Sequence, residues 1–154
     1  RVSSFAIVCH HLSSCVIVYH RVSSFVIMFH RVSSFVIMYI MHHRLSSCFI
    51  LYHRLSSCII VSHRLSSCVI VYHRVSSFFI VLHRLSICII VYHRVSSFVI
   101  LYHRVSSCVF VCHFMSACVI VCRHHLLSCV IICNRVSSFA IVCHHLSSCV
   151  IVSS

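Results

Sequence analysis

The chain has 154 residues, and 61% of them are hydrophobic, well above the roughly 45 to 50% of ordinary soluble domains. Its only fixed side-chain charges are arginines, which give a net charge of +12 with no Asp, Glu or Lys anywhere. That excludes general-acid carboxylates and any acidic residue to orient a catalytic histidine. It also leaves every guanidinium to water, to an external anion or to backbone carbonyls, because an unpaired charge is costly to bury.

From its first residues the chain repeats one ten-residue phrase: His-Arg-Val/Leu-Ser-Ser-Cys/Phe-Val/Ile-Ile-Val-Tyr/Cys. We number its slots 1 to 10 from the histidine. His opens units at positions 10, 20 and 30, then at 43 through 113 in steps of ten, then at 124 and 144, with Asn134 in between. Two insertions, Ile40-Met41-His42 and Arg123, shift the phase. Residues 1–154 are otherwise a single tandem-repeat array without separate domains. The chain opens on Arg1, as a fragment or a processed product would.

A ten-residue period is not a familiar solenoid length, but a ten-nucleotide unit writes it. Three copies of CATCGTGTAT or its close variant CATCGTGTGT, read in triplets, spell His-Arg-Val-Ser-Ser-Cys-Val-Ile-Val-Tyr, because ten is not a multiple of three. The unit contains no GG, CC, GA or AA, so Gly, Trp, Pro, Asp, Glu and Lys are not encoded, and it contains no stop triplet. Phe for Cys, His11 for Arg, Met28 for Val and Asn134 for His each need one base change. Phe114 for Arg needs two. The chain is therefore expected to be the translation of a decanucleotide tandem repeat, with no specific biochemical function and no enzymatic activity.

The apolar run in each unit is rich in Val, Ile, Phe and Tyr, types that favour strands. An all-β fold is expected, with the repeats as stacked or meandering strands. A continuous strand alternates faces, placing the Cys/Phe, Ile and Tyr/Cys slots together with Arg and the Val slots together with His. Tight hairpins want Gly or Asn at positive φ. The chain has no Gly and a single Asn, so Ser-Ser must serve as a looser turn. Two arrangements follow: an antiparallel meander with one strand per repeat, or a coil in which identical residues stack. The meander separates neighbouring arginines, whereas a parallel stack sets them in register at about 4.8 Å. Cys68–Tyr72 and Phe25–Phe29 carry the signature of aggregating strands, so self-association is expected.

The alternative is a set of α-helical membrane-associated hairpins. A ten-residue period rotates by about 80° per repeat on a helix and forms no fixed stripe. Even so, three stretches lack arginine over nearly the length needed to span a bilayer: Val2–Tyr19, Val105–Cys122 and Val136–Ser154. The middle one carries only His113 and is flanked by Arg104 and Arg123.

Thiolates and imidazoles concentrate between Cys108 and Cys133. Weak candidates for metal ligation are Cys108, Cys112, His113, Cys118, Cys122, His124 and His125, with Cys129 and Cys133 nearby. The Cys-x3-Cys spacing arises whenever slots 6 and 10 both read TGT, so no resident metal or cofactor is assigned. The R-x-S-S phrase that resembles a kinase site recurs only because the repeat recurs. Arginine with interleaved Tyr and Phe gives loose attraction to nucleic acid or anionic lipid, without a recognisable binding module.

Overall fold

The computed structural model describes residues 2–19, 22–39 and 44–153, and every described residue lies in a strand except His144 and His145, which form a bend. The elements are β1 (Val2–Tyr19), β2 (Val22–Tyr39), β3 (Arg44–Cys143) and β4 (Leu146–Ser153). They pair in parallel in the order β1-β2-β3-β4. β3 alone is 100 residues long, because the chain winds around one axis and pairs with itself from coil to coil. The fold is a parallel β-solenoid.

The register gives the pitch. Val2 lies opposite Val22, Ile7 opposite Ile27 and Tyr19 opposite Tyr39, so one circuit takes twenty residues and holds two phrases. Across the 40–42 insertion, which lies outside the described residues, Ser24 pairs with Ser47 and Ile37 with Ile60. Past Arg123 the register settles again, with Leu126 opposite Leu146. Odd and even phrases therefore build two separate sets of columns: His53 stacks on His73, and His63 stacks on His83.

In the phrase from His63 to Tyr72, Leu65, Cys68, Ile70 and Tyr72 are buried. Slots 3, 6, 8 and 10 thus point inward throughout the middle of the array. Two inward slots are separated by pairs of outward residues, His-Arg at slots 1 and 2 and Ser-Ser at slots 4 and 5. These pairs are the corners of the coil. At the Ser-Ser corner the second serine hydroxyl donates to the first serine's carbonyl one coil back: Ser67 Oγ to Ser46 O at 3.0 Å, Ser77 to Ser56 at 3.2 Å and Ser97 to Ser76 at 3.2 Å. The side chain satisfies a backbone acceptor of the neighbouring coil where the chain changes direction, so the bond ties one coil to the next. A coil needs no two-residue hairpin, so the absence of Gly is no obstacle.

The interior is zipped by aromatic columns. Tyr52, Tyr72 and Tyr92 stack at 5.1 and 5.4 Å between centroids. Phe78 and Phe98 stack at 5.3 Å. The columns meet edge to face, with Tyr72 to Phe78 and Tyr92 to Phe98 both at 4.8 Å. Such pairs contribute about 0.5 to 1.5 kcal/mol each beyond their buried area.

Three expectations are corrected by this architecture. The α-helical hairpins are not formed: Val105–Cys122 is part of β3, and among the described residues no helix is long and apolar enough to cross a membrane. The antiparallel meander gives way to the parallel coil despite the arginine register. Adjacent exposed charges about 4.8 Å apart repel by about 0.9 kcal/mol in water. Burying one Val, Leu, Ile or Phe side chain returns roughly 1.5 to 3 kcal/mol, and the phrases in the middle of the array each bury three or four apolar side chains. The third correction concerns facing. Arg does not share the face of slots 6, 8 and 10, because the corner at slots 1 and 2 turns both His and Arg outward and brings Val or Leu of slot 3 inside.

Candidate functional site

Because slot 3 points inward between two outward corners, each phrase leaves a notch in the surface, and stacking turns the notches into a groove along the axis. Its floor is Leu12, Val32, Leu55, Val75, Val95 and Met115. One wall is the column Arg31, Arg54, Arg74 and Arg94, continued by Phe114 and Arg135, and the other wall is serine. The groove encloses about 1700 Å³. Arg31 lies opposite Arg54, and His11 takes the arginine place in the first coil.

Phe114 interrupts the charge column where the phrase predicts arginine. The Arg94 guanidinium lies 5.5 Å from its ring centroid and that of Arg135 lies 5.4 Å away. One aromatic ring thus separates two cations and contacts both. Phe114→Arg should remove two exposed cation–π contacts and add two like-charge neighbours, a loss of about 3 kcal/mol at low salt. Chemical denaturation at low and high salt checks this, and the loss should shrink as salt screens the column.

Across the corner ridge runs a second groove of about 680 Å³, floored by Tyr52, Tyr72 and Tyr92, with histidines on one wall and Leu51, Val71, Val91 and Val111 on the other. His30, His53, His73, His93 and His113 form one column, with successive centroids at 4.8, 4.8, 4.7 and 5.1 Å. His63, His83, His103 and His124 form the other, at 4.6, 4.3 and 4.2 Å. The inner ring nitrogen Nδ1 of His73, His83 and His103 is shielded from water and makes no hydrogen bond. A proton there would gain no partner. His30, His73, His103 and His124 are held below the ordinary imidazole range, first by desolvation and then by neighbouring histidines and arginines.

The thiols lie elsewhere. All 14 cysteines are unpaired thiols, and those among the metal candidates divide from the histidines. Cys108, Cys112, Cys118 and Cys122 are buried, whereas His113, His124 and His125 lie outside. Among the described residues no group of three or more His or Cys converges to hold a metal ion. Burial pushes the thiols of Cys58 and Cys118 up to about 12 and that of Cys122 up to about 11.

No known family model, curated protein or solved structure matches the chain. Its functional reading therefore rests on its own geometry. That geometry brings together residues that the phrase alone kept apart. The arginine column, the histidine columns and an internal cysteine row all join residues one full circuit apart. The signal for the cysteine row was present in the letters: alternate units, from Cys48 through Cys68, Cys88, Cys108 and Cys129 to Cys149, all carry Cys at slot 6, whereas the units between them mix Cys and Phe. Reading every unit as equivalent hid that doubling of the period.

Proposed function

We propose that this chain is a non-catalytic β-solenoid, written by a ten-nucleotide tandem repeat, whose arginine-lined groove takes up polyanions without chemical selectivity. The observation that carries this reading is the column Arg31, Arg54, Arg74, Arg94 and Arg135 along one wall of a single groove, in a sequence with no carboxylate to neutralise it. The column stores its own repulsion, and a bound polyanion relieves it. Its spacing of about 4.8 Å follows the strands and does not match the 3.4 Å rise of phosphates along one duplex strand. A flexible polyanion would follow the charge without a fixed register. The serine wall supplies hydroxyl groups but no fork of donors that would select one anion.

Binding of single-stranded oligothymidylate and of linear polyphosphate, followed by fluorescence anisotropy across a salt series, tests the reading. For five arginines on a single strand, log K against log salt should have a slope of about −3.5. Arg74→Gln with Arg94→Gln should reduce that slope and weaken both ligands alike. A salt-independent affinity, or one that the double variant leaves unchanged, refutes the groove as the site.

A second reading has its own observation. The outward slots 7 and 9 are apolar on both broad faces, and Val26, Met28, Phe49, Ile59, Ile89 and Val119 are all exposed there. Contiguous apolar surface of this kind marks a face for association, which supports self-assembly of the solenoid through its flat sides.

A further inference from the structure

The two broad sides of the solenoid are built alike but bordered differently. One belongs to the phrases opening at His63, His83 and His103, with Val69, Ile89 and Val109 in its slot-7 row and Val71, Val91 and Val111 in its slot-9 row. Along its far border, between the slot-9 row and the histidine column, runs the groove floored by Tyr52, Tyr72 and Tyr92. Seven successive coils line that groove, from Val8 and His10 to Ile132 and Asn134. At the opposite border Ile87 stands exposed where the phrase writes serine. The second broad side belongs to the phrases opening at His53, His73 and His93. Both insertions of the chain, 40–42 and Arg123, follow slot 10 of that set. The exposed Arg123 therefore puts an extra fixed charge on the border of the second side, whereas the first side pairs an apolar ridge with an uninterrupted apolar groove.

We propose that the first side is an interface between two copies of this chain, packed face to face about a two-fold axis parallel to the solenoid axis. The slot-7 row of each copy sits in the tyrosine-floored groove of the other. This deepens the reading of self-assembly through the flat sides and rests on it. Outward rows two residues apart on a strand are separated by about 6.6 Å. A two-fold parallel to the solenoid axis reverses the strand direction. Set half a row off centre, it drops slot 7 of one copy between slot 9 and the histidines of the other, and slot 9 between slots 7 and 9. Ridges then interdigitate as they do between two stacked sheets. The axis keeps every residue at its own height, so each coil meets the same coil of the second copy.

The arginines decide the orientation. A two-fold along the strands would set ridge on ridge and bring the His-Arg corners of both copies together, with no carboxylate between them. With the axis parallel to the solenoid, each His-Arg corner lies over the other copy's Ser-Ser corner. The two arginine columns then stand about 20 Å apart, beyond the Debye length of about 8 Å at physiological salt. From slot 7 to the histidines, over seven coils, the strip measures about 13 by 34 Å. Two copies cover about 900 Å² in flat projection, and the relief of ridge and groove raises the accessible area toward the 1,200 to 2,000 Å² of stable interfaces. The arginine groove opens on the short side beyond the corner, so pairing and polyanion uptake stand or fall separately.

Sedimentation equilibrium of the full chain in high salt tests the proposal, and the parent should sediment as a dimer. Phe49 and Ile59 occupy slot 7 on opposite broad sides and are 38% and 41% exposed, which makes them a matched pair. Phe49→Lys should weaken the dimer by about 100-fold, because the two-fold repeats a tenfold loss at two sites. Ile59→Lys should change it by less than about twofold, with the β-type infrared band intact in both variants. Orientation is read without relying on either variant, from photoreactive benzoylphenylalanine at position 49 in a mixture of isotope-labelled and unlabelled chains. Adducts between chains should fall at Leu51, Tyr52 and His53, and adducts in a different coil overturn the parallel two-fold. A monomeric parent overturns self-assembly and this pairing together. Association that Phe49→Lys and Ile59→Lys weaken alike upholds self-assembly through the flat sides and overturns the choice of this one.

Discussion

Ile90→Asp is expected to abolish the fold, and Ile89→Asp, one residue earlier, to leave it standing. Ile90 is 0% exposed in the middle of β3, and Ile89 is 37% exposed on the outer face. A carboxylate at position 90 would find no cation beside it among the described side chains, because the arginines described there, Arg74, Arg84, Arg94 and Arg104 among them, lie at the corners. An unpaired buried charge costs several kcal/mol even after relaxation, and the lost isoleucine packing adds roughly 2 to 5 kcal/mol. That sum is comparable with the whole stability of a typical domain. The damage also reaches both neighbouring coils, because each coil of a solenoid is stable only against the coils it touches. At position 89 the side chain faces water, and the same substitution should cost less than about 1 kcal/mol. It would also place the chain's first carboxylate on a broad apolar face. Guanidinium denaturation and protease resistance separate the two variants, and sedimentation should show Ile89→Asp associating less than the parent. Equal stability of the two variants would mean that the inward and outward slots are assigned wrongly.

Much of this was legible in the letters, and what was not has particular causes. Val, Ile, Phe and Tyr announced strands, and period-two alternation placed slots 6, 8 and 10 on one face, as the structure shows. Slot 3 was misassigned because alternation was carried straight through Ser-Ser. Two successive outward residues at that corner reverse the phase, and alternation alone contains no marker for a corner. The same reversal at His-Arg turned the arginines outward. The choice between meander and coil depends on whether a phrase pairs antiparallel with the next phrase or in parallel with the one after it, and near-identical phrases make both pairings look equally good. Stacking position then decides burial independently of sequence. Residues 1–18 and 135–152 are the same string, yet Leu12 is half-buried whereas Leu146 is 42% exposed.

The candidate sites follow the same logic. The arginines, histidines and cysteines were all visible as types, and the cluster from Cys108 to His125 was singled out because its members are close in sequence. A solenoid discards that proximity. Cys108 faces inward toward Cys88 and Cys129, His113 faces outward and stacks on His93, and the two sets are separated by the coil wall. What joins residues is the twenty-residue circuit, so the relevant neighbours of any side chain lie one full circuit up or down the chain.

That geometry makes acid the most damaging ordinary change of condition. His73 is faced by His53 and His93 in its own column and by Arg74 and Arg94 beside it. His103 is faced by His83 and His124, with Arg104 and Arg123 beside it. Desolvation and these cations hold both folded-state pKa values below the ordinary 6.5. The unfolded chain therefore binds more protons than the folded one as pH falls through that value, and stability must rise with pH across this interval. The histidine contribution is intact above pH 6.5 and is lost progressively as pH drops toward the depressed folded-state values. Carboxylates normally moderate acid repulsion until they are protonated, but here there are none. Acid only adds the charge of 17 histidines to a chain that already carries +12. Thermal midpoints measured from about pH 8 to pH 5 should fall monotonically, most steeply near the imidazole range. Polyphosphate should restore part of the loss by neutralising the adjoining arginine column. Asn134 already occupies a histidine slot, so His73→Asn with His93→Asn should flatten the pH dependence while preserving the corner. A midpoint that stays constant or rises on acidification would show that the histidine columns do not bear on stability.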